Sequence, residues 1–118
     1  AITGSIPPEI GSAVRLETLR LGNNGRKTLD CVLPTEIGQL TNLEEFRLLP
    51  SGINGTVPSE FGKLSRLRFL KVLDSPIHGP LPSELGLLSS LESFSLDRLA
   101  VNGTIPSELG RMTSLVNL

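Results

Sequence analysis

The segment DSPIH contains a Ser, a His and an Asp, the residue types that nucleophilic hydrolases combine. In such a site Ser75 would attack, His78 would accept its proton and Asp74 would orient the imidazole. However, Ser75 occupies a predicted inward-facing position of a repeating unit, whereas His78 lies on a predicted turn. Because the nucleophile and the base would point in different directions, we predict that the chain is not an enzyme.

Metal and cofactor chemistry has few candidate ligands in this chain. His78 is the one His and Cys31 the one Cys, too few soft ligands for a zinc or haem site. No glycine-rich phosphate-binding loop precedes a long helix. We therefore expect no catalytic residue, no bound metal and no cofactor. Cys31 is interpreted as a small half-buried residue, with a disulfide to another chain or to a missing cap as the alternative.

The tripeptide Asn-Gly-Thr occurs at Asn54 and again at Asn102, and both copies match the acceptor pattern for N-linked glycosylation. The alternative is a simple turn, because Asn-Gly tolerates left-handed backbone. The equivalent residues Thr3, Asp30 and His78 indicate that the fold does not require Asn there. We predict that both Asn residues carry glycans if the chain is secreted.

The composition excludes several classes of partner. The 118 residues carry 11 Lys and Arg against 12 Asp and Glu, a net charge of −1, which gives no field that would attract nucleic acid. No run of apolar residues is long enough to span a membrane, so we expect no direct membrane insertion. Leucine dominates, Trp and Tyr are absent and only 4 Phe occur. Layered aliphatic packing is therefore expected instead of an aromatic core.

The chain repeats itself. Regular copies of equal length begin at equivalent leucines, which are Leu43, Leu67, Leu91 and Leu115. A longer copy runs from Leu16 to Asn42, and the segment before it, 1–15, is the tail of an earlier one. Seven positions of each copy are apolar, as in Leu43, Phe46, Leu48, Ile53, Val57, Phe61 and Leu64. This spacing fits neither one helix nor sustained alternation, so each copy must change direction several times.

Each copy predicts one coil of a solenoid. The alternation from Phe46 to Leu48 indicates a short strand whose apolar side chains point inward while Arg47 points outward. A glycine-containing turn follows, at Gly55 in this copy. In segments such as VPSEFG, Pro at the first helical position and Gly just past the end predict a short 3₁₀ helix. Stacked coils would bury their leucines against one another and join their strands in a parallel sheet.

The segment LEEFRLLPSGINGTVPSEFGKLSR resembles the plant-type leucine-rich repeat, whose pattern is LxxLxLxxNxLxGxIPxxLGxLxx. The resemblance extends over essentially the whole chain, which is similar to receptor-like ectodomains and polygalacturonase-inhibitor-like repeats. It implies an α/β solenoid that forms a single domain over residues 1–118, with a parallel β-sheet on the concave face and short 3₁₀ turns on the convex face.

The chain departs from the family pattern at two features. The buried Asn of the pattern is matched only by Asn24 and is replaced by Ser51, Ser75 and Leu99 in the other copies. The Cys-bearing end caps of the family are also missing. We therefore expect a fragment of a longer array without its caps, in which the ladder of inter-coil hydrogen bonds is weakened or replaced.

The predicted concave face carries a row of cations. The fifth residue of successive copies reads Arg20, Arg47, Lys71 and Ser95, and the row is bordered by Glu17, Glu44, Glu45 and Glu92. Stacked about 5 Å apart, the three cations would form a basic stripe for carboxylates or for sulfated and phosphorylated groups. The alternative is that these charges pair with neighbouring Glu residues and only keep an exposed sheet soluble.

Apolar residues are predicted on the same face. Leu49, Pro50, Phe69 and Leu73 should lie near one another, and an apolar patch on a hydrated sheet commonly marks a protein contact. Single exposed leucines would need no such explanation. The predicted partner-binding residues are Arg20, Arg47, Lys71, Glu44, Glu45, Leu49, Phe69 and Leu73.

Together, the fold and the resemblance predict a noncatalytic protein-protein recognition module. Its partner would be a protein or a peptide, and its location would be extracellular, in a secretory lumen or at the cell surface. Two alternatives stay open: a structural subunit that braces a larger assembly, and the ligand-sensing ectodomain of a receptor kinase.

Overall fold

The structure of the chain is a computed structural model that describes residues 6–21, 32–49, 53–73, 77–97, 100–101 and 107. These residues contain six strands: β1 (Thr18–Leu21), β2 (Glu45–Leu48), β3 (Phe69–Leu73), β4 (His78–Gly79), β5 (Ser93–Asp97) and β6 (Ala100–Val101). Strands β1, β2, β3 and β5 form a parallel sheet in that order, and β4 pairs separately with β6. Each strand of the larger sheet belongs to the next copy of the repeat, which confirms the predicted solenoid.

The register of the four-stranded sheet follows the repeat. Leu19 is paired with Phe46, Phe46 with Leu70, and Leu70 with Phe94. The pairing of β1 with β2 spans the longer copy, and the pairings of β2 with β3 and of β3 with β5 span regular copies, as the sequence predicts. Equivalent positions of successive copies therefore lie side by side, and rows of equivalent side chains cross the sheet.

The predicted apolar positions form the core. All seven in the copy that begins at Leu43 are buried, with exposed fractions between 0% and 8%. Six of the seven in the next copy are buried too, while Leu81 is half-buried. The rings of Phe46 and Phe61 meet edge to face with their centroids 5.2 Å apart. Each coil thus covers the apolar side chains of its neighbours, which provides most of the stabilisation of such a fold.

The first described coil is less well covered. Leu19 is buried, but other apolar side chains of this coil pack against the core and stay half-buried: Ile6, Ile10, Leu16 and Leu21. The difference follows from the stacking, because a coil that has a described neighbour on just one side receives half of the cover that a central coil receives.

The described residues contain four 3₁₀ helices, on the side of the coils opposite the sheet: η1 (Pro8–Ser12), η2 (Thr35–Gln39), η3 (Ser59–Lys63) and η4 (Ser83–Leu87). The predicted helix type is confirmed, but the predicted ends are wrong: the glycine lies inside all four helices, and the Pro of VPSEFG and LPSELG precedes the helix. Pro58 precedes η3 in extended conformation, with φ −66° and ψ 139°, and its carbonyl accepts the amide hydrogen of Phe61. No helix among the described residues is long and apolar enough to cross a membrane.

The glycines of these helices lie inside them and do not end them. A Cβ atom on Gly62 would lie 2.5 Å from the backbone oxygen of Glu84, and one on Gly38 would lie 2.7 Å from that of Glu60. Both approaches are closer than a Cβ atom tolerates. Glycine is therefore required here because the next coil packs directly against the helix backbone.

A second, narrow ladder connects the coils beyond the turns. It consists of the β4–β6 pair and of two isolated bridges, Val32 with Asn54 and Gly55 with Ile77. Gly55 and Gly79 have the expected positive φ values, 85° and 82°, but they lie in this ladder instead of in a turn. The ladder itself is not predicted by the sequence analysis, because such short strands show no alternation of apolar and polar side chains.

Candidate protein-binding face

Three rows of side chains lie on the outer face of the four-stranded sheet or at its amino-terminal edge. The first row is Glu17, Glu44, Arg68 and Glu92; the second is Thr18, Glu45, Phe69 and Ser93; the third is Arg20, Arg47, Lys71 and Ser95. In β2 the second- and third-row residues, Glu45 and Arg47, are partly exposed, whereas Phe46 and Leu48, which alternate with them, are buried. The alternating pleat of the strands therefore separates the outer rows from the core.

The predicted basic stripe is partly neutralised. Glu45 accepts hydrogen bonds from Nε and Nη2 of Arg20 at 3.3 and 3.2 Å, and the same carboxylate oxygen lies 2.6 Å from Nε of Arg47. The Glu45 side chain is only 17% exposed because the two arginines cover it. Arg20 and Arg47 thus pair with a neighbouring Glu, as the alternative interpretation of the stripe predicts.

Lys71 differs from these two arginines. Its side chain is exposed, and no carboxylate of the described residues lies within 4.0 Å of it. In the third row it lies between Arg47 and Ser95, and along β3 it lies between Phe69 and Leu73 on the same face. Of the three predicted cations, Lys71 is the one whose charge is available to an external group.

Arg68 is a charged residue of this face that the sequence analysis missed. Its Nε and Nη2 donate to the two oxygens of Glu92 at 3.0 and 3.2 Å, and its Nη1 lies 3.9 Å from Glu44. The hydrogen bonds and the charge of Glu92, with a smaller contribution from Glu44, raise the pKa of the Arg68 guanidinium. The signal was present in the sequence, since Arg68 is the one cation in a row that otherwise contains Glu.

The apolar residues of the face form two separate groups. The guanidinium carbon of Arg68 lies 5.1 Å from the centre of the Phe69 ring, a cation–π contact that leaves Phe69 half-buried. Leu49 and Leu73 are half-buried beside each other, one residue beyond the pair of Leu48 with Val72. Four residues of strand, about 13 Å, separate Phe69 from Leu73. The prediction of one continuous patch is therefore wrong, and Pro50 lies outside the described residues.

Polar side chains also connect the coils along the amino-terminal edge of the sheet. Asn42 donates to the backbone oxygen of Val14 at 2.7 Å and accepts a hydrogen bond from Nη1 of Arg66 at 3.1 Å. Beside this contact lies a shallow polar groove, lined by Glu44, Arg66, Arg68, Ser89, Ser90 and Glu92. Through these two hydrogen bonds the side chain of Asn42 links consecutive coils.

The remaining predicted sites lie away from this face. Asn54 is partly exposed in the narrow ladder, and His78 is exposed in β4 instead of on a turn. The other predicted positions lie outside the described residues: Cys31, Asp74, Ser75, Leu99 and Asn102. Within the described ranges, no group of three His, Cys, Asp or Glu residues is placed to hold a metal ion.

Solved structures of plant proteins are similar to this chain. It is 33% identical to the plant peptide hormone receptor RGFR1, solved in complex with RGF2, over 96% of the chain and 18% of the receptor, with a TM-score of 0.89. It is 32% identical to the ectodomain of the receptor kinase SOBIR1 from Arabidopsis thaliana, over 96% and 59% of the two chains, with a TM-score of 0.82. A plant ice-binding protein is 30% identical over 99% and 39%, with a TM-score of 0.85.

The similarity therefore covers nearly all of this chain but only part of each of these proteins. The chain spans 18% of RGFR1 and 59% of the SOBIR1 ectodomain. No protein-family model and no curated protein sequence matches it. The parallel sheet, the 3₁₀ helices and the regular repeat agree with the solved structures in both fold and sequence. The chain is thus a leucine-rich-repeat solenoid that is similar, in fold and in sequence, to the ectodomains of plant receptors.

Proposed function

We propose that the chain is a noncatalytic recognition module that binds a protein or a peptide on the outer face of its four-stranded sheet. The observation that supports this proposal is the arrangement of the three rows, in which charged and half-buried apolar side chains are fixed in register on a buried aliphatic layer. A binding site on strands that are held by a core loses little order when a partner binds.

The comparisons support a peptide or protein partner. RGFR1 was solved with RGF2, and the receptor HAESA was solved with the peptide hormone IDA and the co-receptor SERK1. For the present chain we propose the same class of partner, in an extracellular or secretory-lumen location, with N-linked glycans at Asn54 and Asn102. Asn54 lies in the narrow ladder, outside the three rows, so a sugar there would leave the outer face open.

Two other functions are supported by specific observations. The half-buried apolar side chains of the first coil, among them Ile10 and Leu16, favour a structural subunit that stacks against a further coil or another protein. The similarity to the SOBIR1 ectodomain favours the sensing part of a receptor kinase. Both functions would use the same solenoid.

The proposal is tested by selecting peptides that bind the purified chain from a displayed library of random dodecapeptides. Phe69→Ala and Arg47→Ala should each weaken the selected peptides about fivefold or more, because truncation of a central contact residue costs at least about 1 kcal/mol. Ser59→Ala, on the exposed start of η3, is the control and should change nothing. Selected peptides whose affinity is unchanged by these variants and by variants at the other outer-face residues would place the binding site elsewhere.

The structural alternative predicts a different behaviour in solution. A recognition module should be a stable, soluble monomer in sedimentation analysis, whereas a bracing subunit should aggregate unless a neighbouring subunit is added. Intact mass spectrometry of the chain, secreted from plant cells, tests the location and the glycans together. Thr56→Ala and Thr104→Ala should each remove one glycan mass, and an unmodified secreted chain would contradict the predicted glycosylation.

A further inference from the structure

We propose that the outer face binds an extended acidic peptide segment, with a carboxylate at Lys71 and Ser95 and an apolar side chain on Leu49 and Leu73. The inference rests on the proposed function and names the chemistry of its partner. Carboxylates of the outer face already neutralise its arginines, whereas the charge of Lys71 is available.

Charge complementarity selects Lys71 over the arginines. Arg20 and Arg47 share the carboxylate of Glu45, and Arg68 is bound by Glu92 through two hydrogen bonds. An external anion could use these arginines only by displacing a carboxylate that already lies within hydrogen-bond distance. At Lys71 it gains a new ion pair without breaking one, so the free energy of binding is most favourable there.

The neighbours of Lys71 in the third row favour an oxygen anion. Ser95 is directly paired with Lys71 across β3 and β5, its side chain is half-buried, and its hydroxyl group can donate to an anion that contacts the ammonium group. On the other side Arg47 contributes positive potential although it is paired. A carboxylate fits this position because Lys and Ser supply single hydrogen bonds, whereas the bidentate arginines that would favour a phosphate are occupied.

The apolar part of the site lies one step further along the strand. Leu73 follows Lys71 by two residues, on the same face, and Leu49 lies beside it on the neighbouring strand. Two residues of extended chain span about 6.6 Å. A peptide that runs along β3 would therefore place an acidic side chain at Lys71 and an apolar side chain at Leu73 if these two side chains are two residues apart. The predicted motif is Asp or Glu, any residue, then Leu, Ile, Val or Phe.

The experiment uses the peptides selected from the random library and a double-mutant comparison. We expect the selected peptides to contain the predicted motif. Replacing its acid by the corresponding amide should lower the affinity at least tenfold for the unmodified chain but less than twofold for Lys71→Gln. Lys63→Gln is the matched control, since Lys63 is exposed on η3 on the opposite side of the coil. There the tenfold difference should persist.

The outcomes separate this inference from the proposed function. Two results would overturn the inference and leave the proposed function standing. In the first, the selected peptides depend on Phe69 or Arg47 but lack an acidic residue. In the second, replacing the acid by its amide lowers the affinity as much for Lys71→Gln as for the unmodified chain. A phosphoserine peptide that binds at least tenfold better than its Glu equivalent would also overturn it. Selected peptides that depend on none of the outer-face residues would overturn both.

Discussion

The two faces of strand β3 follow different rules. On the inner face Leu70 and Val72 are each 2% exposed, and the residues paired with them in β2 are buried as well. On the outer face Phe69 and Lys71 are paired with Glu45 and Arg47, so both size and charge change from one coil to the next. The inner face therefore repeats because every side chain is packed against its copy in the next coil, whereas the outer face is free to differ.

The largest expected effect comes from the inner face. Leu70→Ala should lower the free energy of unfolding by about 2 to 5 kcal/mol, because it leaves a cavity between coils. Lys71→Ala, one residue away, should change it by less than about 0.5 kcal/mol. Chemical denaturation followed by circular dichroism measures both values. Similar losses of unfolding free energy at the two positions would show that Leu70 does not lie in the core while Lys71 lies at the surface.

A smaller effect is expected where coils meet on the side opposite the sheet. Gly62→Ala places a Cβ atom against the backbone of Glu84, which cannot move away as a flexible side chain could. We expect a loss of about 1 to 3 kcal/mol, typical of overpacking. Ser59→Ala in the same helix serves as the comparison and should be nearly neutral. A neutral Gly62→Ala would mean that the neighbouring coil can shift without cost.

The smallest effect should come from the ion pairs of the outer face. Glu45→Gln removes the carboxylate that Arg20 and Arg47 share, yet the loss of stability should stay below about 1 kcal/mol, since partly exposed pairs contribute little. Denaturation in low and high salt checks the cause, because screening should reduce the difference between the two proteins. A larger loss, independent of salt, would indicate that Glu45 supports the packing of the coils.

Most of the fold could be predicted from the sequence because the stacked coils depend on spacing alone. The positions of Leu43, Phe46 and Leu48 within one copy predict both the strand and the buried side of that strand. The ends of the 3₁₀ helices could not be predicted in the same way. Gly62 looks like a helix terminator in the sequence, but contact with the next coil requires it, and that contact involves Glu84, a residue of the following copy.

The rows of the candidate site could be predicted, but the pairing within them could not. Equivalent positions predict that Arg20, Arg47 and Lys71 are neighbours, and the register confirms this. Which carboxylate each cation contacts depends on the side-chain conformations of residues in different rows. Glu45 belongs to the second row and reaches two arginines of the third, which leaves Lys71 without a partner among the described residues.

The longer copy has a consequence for engineering. Strands β1 and β2 keep their register across it, and η2 and η3 are separated by the length of a regular copy, so the additional residues fall between Leu21 and Val32. The strands and 3₁₀ helices on either side thus keep their stacking although this copy is longer than the others. Foreign sequences, such as an epitope tag or a second binding loop, could be grafted there while the solenoid stays intact.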